Sequence, residues 1–78
     1  MIYNRIALLR TERGMSRQEL ADAVEVNYQT IGFIERGNYF PSLELAFKIA
    51  AVFDVELSIV FSDKPFEPLF NTKHREQR

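Results

Sequence analysis

Cysteine is absent from this chain of 78 residues, which also contains one histidine, no tryptophan, three glycines and three prolines. Without cysteine the protein can form neither a disulfide framework nor a thiolate metal site, so its stability must come from packing or from oligomerisation. The single histidine, His74, stands alone near the end of the chain. We therefore expect a solvated histidine, no metal site and no cofactor.

Features that most enzymes need are also missing. The sequence has no cysteine nucleophile, one histidine and no Gly-rich phosphate loop, and no pair of carboxylates lies in an evident pocket. We expect no catalytic residues and a protein that binds a partner rather than transforming a substrate. No small-molecule ligand is indicated.

Long apolar runs are absent as well. None reaches the roughly 18 residues that a bilayer-spanning helix needs, and the N-terminus lacks the basic start and apolar segment of a signal peptide. Apolar residues make up 46% of the chain and charged residues 27%, which is an ordinary composition for one small soluble domain. We expect a cytoplasmic protein with no membrane partner.

The chain also has no excess of basic over acidic residues. The net charge is −1, which argues mildly against a nucleic-acid partner, although the position of the basic side chains matters more than their sum. The first forty residues carry balanced charges: Arg5, Arg10, Arg13, Arg17 and Arg36 against Glu12, Glu19, Asp22, Glu25 and Glu35. A positive surface would therefore require segregation of these side chains in the fold.

The stretch from Ser16 to Gly37 predicts two short helices joined by a tight turn. Ser16 followed by Glu19 forms a capping box at a helix start, and the apolar pattern breaks at Glu25. Asn27 then supplies a second N-cap. Two helices linked so briefly make a helix-turn-helix.

Two further helices flank this unit. The first runs from Asn4 to about Arg13, where Gly14 provides the stop. The fourth begins after the cap Ser42 and ends at Asp54. Its apolar side chains recur at helical spacing and predict a core-facing stripe.

The end of the chain is less determined by its pattern. Residues 55–61 alternate with the period of a strand and also fit one helical turn, so both readings stay open. Prolines confine residues 66–70 to an edge strand at best. We expect residues 1–70 to form one domain and the charged residues 71–78 to be a disordered tail.

Four motifs within residues 4–61 resemble those of the Cro/C1-type helix-turn-helix transcriptional regulators, the XRE family. They are Ile6-x-x-Leu9-Arg10-x-x-Arg13-Gly14, Ser16-x-x-Glu19-Leu20-Ala21, Val26-Asn27-x-Gln29-Thr30-Ile31-x-x-Ile34-Glu35-Arg36-Gly37 and Pro41-Ser42-Leu43-x-Leu45-Ala46-x-x-Ile49-Ala50. The resemblance implies an all-α, compact five-helix, lambda-repressor-like domain whose third helix enters the major groove of double-stranded DNA. The lead-in and tail resemble those of small dimeric members, in which both ends form a little β-sheet.

Helical phase and the resemblance together give a set of candidate DNA contacts. Gln29 can read adenine with two hydrogen bonds, and glycine at position 32 would let the helix approach DNA closely. Arg17 stands where members usually have Gln, and Phe33 where Lys or a small residue is common. The full set is Arg17, Gln18, Asn27, Tyr28, Gln29, Thr30, Gly32, Phe33, Arg36, Asn38 and Tyr39.

The resemblance also implies an ion pair between Arg10 and Glu35 that links the first and third helices. Large apolar residues crowd into the final third of the chain, and such an excess marks an interface. We expect a homodimer formed by a segment spanning about residues 55–70, with Leu57, Val60 and Phe61 at its interface.

Two functions from different classes follow. The first is a sequence-specific transcriptional regulator, a repressor that binds a pseudo-palindromic operator as a homodimer. The alternative is a protein-interaction module, such as an antitoxin-like or anti-repressor partner, which Phe33, Phe40 and the apolar tail favour.

Overall fold

Residues 1–67 are described by a computed structural model, and they form five helices and one two-stranded antiparallel sheet. The all-α prediction with a small sheet is thereby confirmed. In chain order the elements are β1 (Tyr3–Asn4), α1 (Ile6–Glu12), α2 (Arg17–Val24), α3 (Tyr28–Glu35), α4 (Leu43–Phe53), α5 (Leu57–Val60) and β2 (Phe61–Ser62).

Side-chain caps start the three central helices where the sequence predicted them. Ser16 Oγ accepts a hydrogen bond from the Glu19 backbone N–H at 3.0 Å, and the Glu19 carboxylate accepts one from the Ser16 N–H at 2.8 Å. Asn27 caps α3 through its side-chain oxygen, and Ser42 caps α4 through its hydroxyl. Each cap satisfies a backbone donor that the helix itself leaves free.

A residue in the left-handed backbone conformation ends each of the first four helices. The connections between these helices are therefore short. The four residues are Gly14 (φ 63°), Glu25 (φ 63°), Gly37 (φ 77°) and Asp54 (φ 56°). In each case the following N–H donates to a carbonyl five residues earlier, at 2.9–3.2 Å, which is the Schellman arrangement. The predicted stops are confirmed, including the two at Glu25 and Asp54 that use no glycine.

The core lies between the helices and is entirely apolar. Phe53 is its largest side chain, and Val60 from α5 is as fully buried as the central isoleucines. The cluster consists of Ile6, Leu9, Leu20, Ala21, Val24, Ile31, Ile34, Ile49, Ala50, Phe53 and Val60. Because α2 and α3 both contribute to it, their relative orientation is fixed by packing.

The ambiguous stretch after Asp54 contains both kinds of structure. Leu57–Val60 forms the single-turn helix α5, and the strand β2 follows at once. In the antiparallel pair Tyr3 lies opposite Ser62, and Asn4 lies opposite Phe61. The helical interpretation therefore holds for residues 57–60, and the strand begins only at Phe61, where it pairs with the N-terminus.

The first helix begins later than the sequence predicted. Asn4 belongs to β1 rather than to α1. Its side-chain oxygen accepts from the Ile6 N–H at 3.1 Å, and its amide nitrogen donates to the Ile34 carbonyl at 3.0 Å. Asn4 thus joins the sheet, the start of α1 and the end of α3.

The last described residues, Phe66 and Glu67, lie outside the regular elements. The rest of the predicted extended segment 66–70 and the predicted tail 71–78 fall outside residues 1–67. No helix in the described part is long and apolar enough to cross a membrane.

We expect Ser16→Ala to lower the free energy of unfolding by about 1 kcal/mol, because one half of the capping box is lost. Urea denaturation followed by circular dichroism measures this change. Ser58→Ala is the control, since Ser58 is exposed within α5 and should shift stability by less than about 0.5 kcal/mol. Equal effects of the two substitutions would contradict the role of the cap.

Candidate nucleic-acid interface

The two sides of α3 differ sharply. Ile31 and Ile34 are fully buried against the core, whereas Tyr28 and Phe33 are about half exposed. An open cleft of about 350 Å³ lies on this outer side and is called the α3 cleft below. Its lining residues are Arg17, Tyr28, Gln29, Gly32, Phe33 and Arg36. Six of the eleven sequence-predicted contact residues therefore meet at one site.

A shared carboxylate fixes one wall of the α3 cleft. Glu35 Oε2 accepts from Arg10 Nε at 2.9 Å, and Glu35 Oε1 accepts from Arg17 Nε at 2.9 Å. The Glu35 side chain is only 5% exposed, while that of Arg17 is 45% exposed. Arg10 also donates to the Met15 carbonyl at 3.0 Å. Helices α1, α2 and α3 are thus tied together through one acidic group.

The Arg10–Glu35 pair implied by the resemblance is present, but the second pair, Arg17–Glu35, was not foreseen. Arg17 and Glu35 are 18 positions apart, so no helical periodicity relates them. Opposite charge was the only indication in the sequence that Arg17 and Glu35 pair, and several other acidic residues could have paired with Arg17 on the same ground.

Arg36 covers Gly32 on the outer side of α3. The Arg36 Nη1 atom lies 3.2 Å from the point that a Cβ on Gly32 would occupy, and Gly32 is buried. The Arg36 guanidinium carbon lies 5.3 Å from the centroid of the Phe33 ring. The expectation that Gly32 gives DNA close access to the helix stays a prediction, and in this conformation the Arg36 side chain lies over that space.

The other five predicted contact residues lie outside the α3 cleft. Gln18 donates to Asp22 at 2.8 Å along α2, and the Asn27 side chain is engaged as the cap of α3. Thr30 is half-buried, while Asn38 and Tyr39 are exposed in the loop before α4. None of these five residues lines the α3 cleft.

The predicted dimer residues divide into two groups. Leu57 and Phe61 line an apolar groove of about 290 Å³, together with Ile2, Phe40, Pro41, Leu43 and Ala46. Val60 has 0% exposure and belongs to the core. Its place in a dimer interface is therefore corrected: a side chain that is enclosed within one protomer has no surface for another.

Comparison with known proteins agrees with this architecture. The family described as helix-turn-helix matches residues 6–60. A transcriptional regulator of this type from Archaeoglobus fulgidus is 47% identical over 57 residues, which are 73% of this chain and 81% of that protein. The regulator YgzD of Bacillus subtilis is 41% identical over 58 residues, covering 74% of this chain and 88% of its own.

Two solved structures are also similar. The restriction-modification controller protein C.AhdI from Aeromonas hydrophila has a TM-score of 0.67 and 33% identity, over 70% of this chain and 83% of its own. A putative DNA-binding protein from Bacteroides fragilis has a TM-score of 0.72 at 24% identity, over 80% of this chain and 100% of its own. The second likeness concerns the fold alone.

These matches place the chain in a class defined by its fold, the lambda-repressor-like helix-turn-helix domains. Within that class, the chain belongs to the helix-turn-helix family of the XRE, or Cro/C1, type. It is a DNA-binding transcriptional regulator, and its family is not a class of enzymes.

We expect Glu35→Gln to lower the free energy of unfolding by about 3 kcal/mol, because Arg10 would remain largely buried without a counter-charge. Arg17→Gln should cost less than about 1 kcal/mol, since Arg17 is far more exposed and Arg10 still compensates Glu35. Urea denaturation of both variants measures the difference. Similar losses for the two substitutions would contradict the central place of the Arg10 pair.

Proposed function

We propose that this protein is a repressor that binds a pseudo-palindromic operator as a homodimer, with α3 in the major groove of each half-site. The observation that carries this proposal is the α3 cleft, in which Gln29 of α3 lies beside Arg17 and Arg36, on the outer side of a helix whose inner side is packed. The major groove is wide enough to admit such a helix.

The chemistry of the α3 cleft suits DNA. A glutamine side chain can pair with the N6 and N7 atoms of adenine, and arginine can pair with phosphate or with guanine. Arg10 and Arg17 share the single carboxylate of Glu35, and Arg36 lines the same cleft as Arg17. This group retains a positive surplus although the whole chain has a net charge of −1.

The apolar groove supports a symmetric dimer. Phe40 is 58% exposed and Leu43 is 67% exposed beside Leu57 and Phe61, and burying such side chains between two copies would release apolar surface from water. In a two-fold dimer the same groove contributes from both protomers. The contact would hold the two α3 helices about 34–36 Å apart, which is one helical turn of DNA.

In this proposal, the protein represses transcription by occupying DNA at a promoter. A dimer that covers two successive major grooves at a promoter excludes other proteins from the same DNA. Transcription in vitro from a template bearing the selected operator should therefore fall as protein is added. Increased transcription would identify an activator instead.

A protein-interaction module is the second candidate, and the exposure of Phe33 favours it, since 45% of this ring is accessible on α3. A salt titration separates the two functions. DNA binding should weaken with a log–log slope of roughly −0.9 for each phosphate contact, whereas an apolar protein contact should be far less sensitive.

We expect Gln29→Ala to relax the preference at one base pair in each half-site, at about 1–3 kcal/mol for the lost bidentate contact. Selection of bound sequences from a random DNA pool measures the preference. Arg17→Ala is the contrasting variant: it should weaken all sequences alike and reduce the salt slope by about one per site. An unchanged base preference in Gln29→Ala would remove this residue from the reading set.

We expect Leu57→Arg to give a folded monomer with operator affinity lowered by about 100-fold or more, because the two half-sites are then bound independently. Phe61→Arg should act in the same direction. Sedimentation and circular dichroism report assembly and folding together. Leu8→Arg is the matched control, since Leu8 is exposed on α1 outside the groove. Wild-type protein that is monomeric at micromolar concentration would contradict the proposed interface.

A further inference from the structure

Gly32 is an unexpected residue in the middle of α3. Glycine in a helix interior is less stable than alanine because it loses more backbone freedom on folding. The positive-φ glycines are Gly14 and Gly37, and Gly32 is not among them. Its backbone conformation therefore does not require glycine, and the reason for its presence must lie in the space that an absent side chain leaves.

The Arg36 side chain fills that space. Its three terminal guanidinium atoms lie 3.2–3.8 Å from the position of a Cβ on Gly32. An alanine methyl group at position 32 would require Nη1 to shift by a few tenths of an ångström. Phe33 lies alongside, with its ring centroid 5.3 Å from the guanidinium carbon. Gly32 thus leaves room for the Arg36 side chain and the Phe33 ring lies beside it, an arrangement called the Arg36 seat.

In the Arg36 seat, the positive charge of the Arg36 guanidinium lies within the α3 cleft. Arg36 follows the last residue of α3, but its side chain folds back by one turn to the level of Gly32. No carboxylate oxygen of residues 1–67 lies within 4.0 Å of its nitrogen atoms, whereas Arg10 and Arg17 both have such a partner. Among residues 1–67, its planar array of N–H donors therefore has no ion-pair partner.

The chemistry of a seated, unpaired guanidinium matches guanine. Arginine donates two parallel hydrogen bonds to guanine O6 and N7, which is the commonest specific contact in the major groove. A side chain held in place by packing loses less conformational freedom on binding than a free one. The arrangement thus favours one base edge rather than a diffuse attraction to phosphate.

We propose that Arg36, held by Gly32 and Phe33, reads a guanine in each half-site, an inference that rests on the DNA-binding function proposed above. Gly32 and Phe33 are then positioning residues. Gly32 lies three residues beyond Gln29, a rise of roughly 4.5 Å along the helix, and successive base pairs are about 3.4 Å apart. The guanine should therefore lie one or two base pairs from the adenine read by Gln29.

Selection from a random DNA pool tests the base assignment. The wild-type protein should select a guanine at this position, and Arg36→Ala should lose that preference while keeping the others. Replacing the guanine with 7-deazaguanine, which lacks the N7 acceptor, should weaken wild-type binding by about fivefold or more and should not weaken Arg36→Ala further. Lys64→Ala removes one positive charge outside the α3 cleft and should leave the selected sequence unchanged.

A double-mutant cycle tests the seat. Gly32→Ala should keep or raise the melting temperature, because alanine favours the helix, yet it should weaken binding to the guanine-containing operator. In an Arg36→Ala background the same substitution should have no further effect, because Gly32 acts through Arg36. A methyl group that merely collided with DNA would instead weaken binding equally in both backgrounds, and that result would overturn the positioning role.

Two outcomes separate this inference from the proposed function. If Arg36→Ala weakens all sequences alike and lowers the salt slope by about one per site, Arg36 contacts phosphate and the guanine assignment is overturned while DNA binding stands. If the wild-type protein selects no DNA sequence and its binding to DNA is undetectable at low salt, the proposed function itself fails.

Discussion

The carboxylate of Glu35 is the group on which the arrangement of the first three helices depends. It accepts from Arg10 on one oxygen and from Arg17 on the other, both at 2.9 Å. A nearly buried carboxylate is costly unless it is paired and hydrogen-bonded, and here each oxygen has a charged donor. The same bridge sets the position of Arg17 at the rim of the α3 cleft. Stability and the geometry of the candidate binding surface therefore share one interaction.

Local signals in the sequence were enough to predict most of the fold. Capping by Ser16, Asn27 and Ser42 depends on residues two or three positions away, and the left-handed stops depend on single residues. The end of the chain could not be predicted in this way. The strand β2 pairs with Tyr3 and Asn4, almost sixty positions away, and a two-residue pattern carries no information about such a partner.

At the candidate site, the positions of the residues could be predicted from the sequence, but the conformations of their side chains could not. Helical phase and the family resemblance identified six residues that the fold places around one cleft. These six are predicted DNA contacts. The side-chain conformations within the α3 cleft could not be read from the sequence. Gly32 was expected to open the helix to DNA, but Arg36 folds back over it. Val60 was expected at an interface because it is apolar, but it fills the core. Both cases concern where a side chain points, which depends on neighbours that lie close only after folding.

The two candidate surfaces of this small domain lie on different helices, and the proposals assign them complementary tasks. The α3 cleft belongs to α2 and α3, whereas the apolar groove is built from the start of α4, from α5 and from the N-terminal lead-in. A single module of this kind contacts DNA through a limited area, in the range of 600–1,000 Å² for comparable domains. One half-site then supplies modest affinity. Linking two copies through the groove makes the second contact intramolecular, and the gain in effective concentration needs no new contact with DNA. In the proposed dimer, the exposed apolar side chains at the groove would therefore contribute to sequence recognition although they touch no base.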